Sequence, residues 1–237
     1  MITISMHDDI CSTPNCPHHS DCYCIKRNKE QSYISDKLWQ DIIQSCNKFH
    51  AIVYYSLCNK NNVTHIYNIA KTTLNFNVTL GYYMYKKYEY MFKNIPHRLQ
   101  ITVYKKEQIN ELKNKQKLFF VKDKKTYRIA KQINEELPTK KIHFSIKRDE
   151  FNSKQIVDLI KNINCDNITY DSCLENAILR GSCIYNTGYL DISTDGTFRK
   201  CPFNINGKII GNKTLNDMIN TKENNTCQFI KEFGEKK

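Results

Sequence analysis

Apolar and polar residues alternate along this chain with two periods that take turns. MITISM (1–6) alternates as a strand does. SDKLWQDIIQSCNKF (35–49) carries Leu38, Trp39, Ile42 and Ile43 at helical spacing, behind Ser35 or Asp36 as N-cap. It runs into AIVYYSL (51–57), the apolar and aromatic run of a buried parallel strand. The pair then recurs. VTHIYNIAKTTLNF predicts a helix and NVTLGYYM (77–84) a strand; YKKYEYMFKNI predicts a helix and RLQITVY (98–104) a strand. KEQINELKNK and KLFFVKD (117–123) follow, then KTYRIAKQINEEL and KKIHFSI (141–147), and FNSKQIVDLIKNI closes the series as a helix.

Six strand–helix units with short connections imply parallel strands joined by right-handed crossovers. The fold class expected is α/β. Six units fall short of eightfold closure, so an open sheet or partial barrel results, with functional residues at the C-terminal ends of the strands. From Cys165 the helical period weakens, and six of the seven glycines and five cysteines follow. A domain boundary is expected there, separating residues 1–164 from a small Cys-rich extension, 165–237. Within the extension GYLDISTDGTFRKC reads as a β-hairpin turning at Asp195-Gly196.

Composition adds compartment and charge. At 237 residues and 40% hydrophobic content the chain can bury a sizeable core. Its net charge of +12 favours anionic partners, unless the lysines are simply a solvated surface. The start, MITISMHDD, lacks a signal peptide's pattern and no apolar run approaches the ~20 residues of a membrane span. A cytoplasmic protein with no membrane association is expected. In a reducing compartment its 11 cysteines are candidates for metal or reactive chemistry, not for a disulfide framework.

Nine of those cysteines fall in two groups, 11–24 and 165–227. CSTPNCPHHSDCYC (11–24) holds Cys11, Cys16, Cys22 and Cys24 in a loop beyond the first strand. Thiolates so spaced wrap a single metal centre, either zinc, with His18 and His19 as further ligands, or an iron–sulfur cluster. In the second group Cys183 is followed by twelve residues, Gly196, four residues and Cys201. A hairpin of this design brings two distant cysteines to one side of a small site.

A cysteine-rich loop after the first strand, six strand–helix units, then C-x12-G-x4-C with a short helix TLNDMI beyond, resembles the radical S-adenosylmethionine (SAM) enzymes. Within that family the chain is similar to members carrying a SPASM or twitch extension; LDISTDGTFRKCPF and the preceding Asp171-Ser172-Cys173 carry the likeness. The resemblance implies a partial (β/α)6 barrel whose loop cysteines hold a 4Fe–4S cluster with one iron open to SAM. It implies cleavage of SAM to a 5′-deoxyadenosyl radical, with flavodoxin or ferredoxin as reductant. Cys173, Cys183, Cys201 and Cys227 would hold a second cluster, or zinc in the same cage.

The chain departs from the family's C-x3-C-x2-C. Tyr23-Cys24 matches its aromatic–cysteine end, but Asp21 stands at the middle cysteine, and the triads open to the chain include Cys16, Cys22 and Cys24, and Cys11, Cys16 and Cys24. After the second strand the family's Gly-Gly-Glu is replaced by Ser56-Leu57-Cys58-Asn59. Ser56 and Asn59 are candidates for the SAM amino group. Tyr82, Tyr83, Tyr104, Lys105, Asp123, Ser145, Lys147 and Arg148, at the later strand ends, are candidates for adenosine or substrate contacts. The expected substrate is a peptide or protein. The alternatives are a nucleotide or RNA, or a metal-binding scaffold without SAM chemistry.

Overall fold

The computed structural model describes residues 2–8, 34–48, 50–95, 98–112, 115–121, 123–136, 142–146, 188–194, 196–201 and 207–222. The chain divides into two compact units, Met1–Leu99 with Tyr185–Asn224, and Gln100–Ile184 with Asn225–Lys237.

In the first unit β1 (Thr3–His7), β2 (Ile52–Leu57) and β3 (Phe76–Gly81) run parallel, β1 beside β2 and β2 beside β3. On its other side β1 pairs in parallel with β7 (Tyr189–Ser193). β8 (Thr197–Arg199) and β9 (Lys208–Ile209) then add antiparallel, giving the order β3-β2-β1-β7-β8-β9. The helices here are α1 (Asp36–Lys48), α2 (Val63–Thr72), α3 (Tyr82–Lys87) and α4 (Glu89–Phe92), with the late α7 (Leu215–Asn220). The second unit holds β4 (Leu99–Val103), β5 (Gln116–Val121) and β6 (Ile142–Ile146), parallel in that order, with α5 (Lys106–Glu111) and α6 (Lys124–Glu136). The fold is therefore α/β with mostly parallel strands, as the alternation predicts, and in neither unit do the strands close into a barrel among the described residues.

Register explains why these residues make this sheet. Ile4 and Met6 lie beside Val53 and Tyr55 of β2 and beside Leu190 and Ile192 of β7, and Phe76, Val78 and Leu80 continue the row. All are buried. Each contributes ~1.5–3 kcal/mol by leaving water, and α1 covers the row by packing Trp39 on Tyr55, ring centroids 6.0 Å apart. The alternate row on the opposite face is polar: Ser5, Tyr54 and Asn77 at one level, His7, Ser56 and Thr79 at the next. Parallel sheets ordinarily bury both faces under apolar side chains. Here Tyr54 is 48% exposed, and Ser56, Asn77 and Thr79 are half-buried, so this face is open to polar contacts.

Local signals set the boundaries. Ser35 caps α1, its Oγ accepting from Leu38 N–H at 3.3 Å. His50 and Asn75 adopt φ of 51° and 57° just before β2 and β3, reversing the chain out of each helix. One expected strand end proves helical: Tyr82, Tyr83 and Met84 belong to α3, with Tyr82, Met84 and Tyr85 buried. An aromatic run without polar alternation fits either period, and Gly81, extended at φ −70° and ψ 149°, ends the strand and starts the helix. The hairpin forms as expected, with Gly196 at φ 79° in its turn. The closing helix expected over 151–163 lies outside the described residues.

Candidate functional site

β1 and β2 end side by side, and there the structure gathers its most heavily hydrogen-bonded carboxylate. Asp8 follows β1 and is completely buried. Its Oδ1 accepts from the Tyr55 hydroxyl at 2.6 Å and Asn62 Nδ2 at 2.7 Å, and its Oδ2 accepts from the backbone N–H groups of Cys58 and Asn59, each at 2.7 Å. Its own N–H donates to Ser56 O at 3.2 Å. Burial pushes the Asp8 carboxyl above its ordinary range, and the donors of Tyr55, Asn59, Asn62 and Cys58 pull it back. Burial and the adjacent Asp8 charge push the Tyr55 hydroxyl well up, so it stays a donor.

A second polar group lies on the polar face, buried where β1, β7 and β8 meet. His7 Nε2 and Ser193 Oγ are 3.0 Å apart, and Arg199 Nη1 donates to the same Oγ at 2.8 Å. His7 Nδ1 stands 3.8 Å from Asp191 Oδ2, and Arg199 Nη1 3.6 Å from Asp191 Oδ1. Arginine only donates, so Ser193 Oγ accepts from Arg199 while it is paired with His7 Nε2. Serine, histidine and aspartate in this order resemble a hydrolytic triad. Ser193, however, has no exposed surface for an acyl carbon to reach. The four residues form a buried polar ring that ties the hairpin to β1. Gly207 completes it: a Cβ there would come within 2.8 Å of Arg199 Cζ.

The candidate residues read from sequence distribute unevenly. Ser56 lies on the open face beside His7. Asn59 is committed: its side chain accepts from Asn61 N–H at 3.0 Å and caps the short 3-10 turn Lys60–Asn62. Cys58 is half-buried, with its N–H on Asp8. Tyr104 N–H and Lys105 N–H donate to Gln108 Oε1 at 2.7 and 3.2 Å, so that strand end is closed by the cap of α5. Asp123 caps α6, accepting from Thr126 N–H at 2.7 Å. Tyr82 and Tyr83 pack edge to face at 5.4 Å. Ser145 lies in β6, its side chain outside the described set. Tyr23, Lys147, Arg148, and Cys11, Cys16, Cys22, Cys24, Cys173, Cys183 and Cys227 lie outside the described residues.

Cys201 alone of the expected metal ligands is described. It follows β8, which runs antiparallel to β7 with Arg199 opposite Asp191, so it continues toward the level of Tyr189 and Thr3. That is the hairpin's open end, opposite to the end of β1 from which residues 9 onward depart. Among the described residues no group of three or more His, Cys, Asp or Glu side chains could hold a metal ion.

For SAM, the described donors fit in part. Ser56, half-buried at the end of β2, has a hydroxyl that can accept from an ammonium. Asp8, the carboxylate at these strand ends, is not available to an ammonium, since its four lone-pair directions are filled by four donors.

Sequence reading missed Asp8 and the His7–Asp191–Ser193–Arg199 ring. For the ring a partial signal was present, polar residues at alternate positions within strands whose other positions are apolar; for Asp8, which follows β1 on the apolar row, there was none.

The fold and site define an α/β protein whose polar residues collect where parallel strands end. No protein-family model matches the sequence, and no curated protein matches it. Among solved structures the chain is similar to a crystal structure of Streptococcus suis SuiB bound to S-adenosylmethionine. Identity is 12%, the likeness covers 91% of this chain and 62% of that one, and the TM-score is 0.37. The chain thus spans less than two thirds of SuiB's length. No helix among the described residues is long and apolar enough to cross a membrane.

Proposed function

We propose that this chain is a radical SAM enzyme acting on a peptide or protein. One observation carries the reading: β1 and β2 end together at Asp8, and Cys11 to Cys24 begin three residues further on. A cysteine-rich segment leaving the C-terminal end of a central parallel strand starts where α/β folds assemble their sites. A 4Fe–4S cluster held by three of Cys11, Cys16, Cys22 and Cys24, with SAM on it, would supply a 5′-deoxyadenosyl radical. The chain's own residues have simpler tasks. Ser56 accepts a hydrogen bond from the SAM amino group, and the polar row of Ser5, Tyr54 and Asn77 faces the bound molecules. Cys173, Cys183, Cys201 and Cys227 hold a second cluster.

A second reading, a metal-binding scaffold with zinc and no SAM chemistry, is favoured by one observation: the Asn59 side chain is spent on its own turn.

Anaerobic reconstitution with iron, sulfide, reductant and SAM decides between them. The enzymatic reading expects 5′-deoxyadenosine from the wild type and none from Cys24→Ala. A cluster-loaded wild type that forms none leaves the scaffold reading standing.

A further inference from the structure

The turn after β2 leads into a helix, and turns of that kind in parallel sheets are ready-made anion sites: successive N–H groups converge, and the helix N-terminus adds positive charge. In this chain the anion is built in. The N–H groups of Cys58 and Asn59 point together at Asp8 Oδ2, and the Asn62 amide, at the head of α2, reaches Oδ1. The carboxylate arrives from β1, some fifty residues earlier in sequence. No ion pair accompanies it among the described residues, so four hydrogen bonds support a fully buried carboxyl group. Three of the four partners, the Cys58 and Asn59 N–H groups and the Asn62 amide, can only donate, so the carboxyl oxygens accept from each of them.

We propose that Asp8 is a positioning residue: it serves as the internal anion of the turn formed by residues 58–62 and fixes that turn against the end of β1. The turn carries Ser56 just ahead of it, and Cys11 follows Asp8 by three residues. One carboxylate therefore holds in a single arrangement the strand end from which the cysteine segment departs and the strand end that receives the SAM amino group. The cofactor part of this claim rests on the function proposed above. Asp8 itself touches neither SAM nor substrate.

The test uses the full chain with Asp8→Ala and Asp8→Asn, with and without formate, a carboxylate small enough to replace the deleted one. Hydrogen exchange is read on peptides spanning residues 58–62, in protein without cofactor. SAM affinity is read by equilibrium dialysis on reconstituted protein, below the melting temperature of each variant. In Asp8→Ala, exchange of the Cys58 and Asn59 amides should accelerate and SAM affinity fall about tenfold, the worth of one charge-assisted hydrogen bond. Formate, but not chloride, should restore both. Asp8→Asn should not respond to formate, because its amide group fills the space and turns N–H toward N–H.

Unchanged exchange at 58–62 in Asp8→Ala overturns the proposal. So does a lowered melting temperature with unchanged SAM affinity, which would make Asp8 structural only. A wild type that takes up no SAM overturns the functional reading, whereas an Asp8→Ala variant that takes it up as the wild type does overturns only this proposal.

Discussion

A thiol shut away from water holds its proton longer, and Cys46 on α1 is 1% exposed, its pKa pushed by burial from 9.0 to about 11. The folded protein therefore keeps a proton that the unfolded chain has lost. Stability from this group is complete below pH 9 and declines as the pH rises toward 11, by on the order of 1 kcal/mol at pH 10. Cys46→Ala should lose stability at pH 8 through poorer packing, and the gap from wild type should narrow at pH 10. Urea midpoints at the two pH values measure this, and a constant gap would mean that the thiol is not shielded. The thiol's burial could be read from its helical spacing. Asp8 could not: three of its four donors, Tyr55, Cys58 and Asn59, lie 47 to 51 residues away, and only the register of β1 against β2 brings them to it.

At the scale of elements, strands and helices were legible because their periods are, and the misread residues, Tyr82 to Met84, lie where the period is ambiguous. The edge of the first sheet depends on two glycines for different reasons. A Cβ on Gly207 would sit 2.7 Å from Thr197 Cβ and 2.8 Å from Arg199 Cζ. One on Gly211 would meet nothing within 4 Å, but its φ of 53° is unfavourable for alanine. Gly207→Ala should therefore cost ~1–3 kcal/mol through overpacking, and Gly211→Ala ~1 kcal/mol through backbone strain. Gly211→Asn should recover part of the latter, since asparagine tolerates this conformation. Thermal melting ranks the three, and a Gly207→Ala variant as stable as wild type would show that the β8–β9 edge is looser than described. The buried ring beneath it escaped sequence reading because its members come from β1, β7 and β8.

For the whole molecule, alternation predicted the α/β class. It did not predict that β7 would return to pair with β1, since nothing local in YLDIS distinguishes a parallel neighbour from an antiparallel one. That pairing places the hairpin's open end, with Cys201, at the far end of β1 from Asp8. Cys201 and the residue from which the 11–24 segment continues thus lie at opposite ends of β1, and separate centres are expected. Cys201→Ala should lower the iron content while sparing the centre held by residues 11–24, and loss of all iron would contradict two separate centres.

The central claim is that the segment after β1 holds a cluster with an iron open to SAM. Electron paramagnetic resonance of the reduced, anaerobically reconstituted Cys201→Ala variant, recorded with and without SAM, addresses it with the second centre removed. The account predicts a reduced 4Fe–4S signal whose g values shift when SAM is added. A colourless zinc protein, or a cluster whose signal is indifferent to SAM, would contradict it.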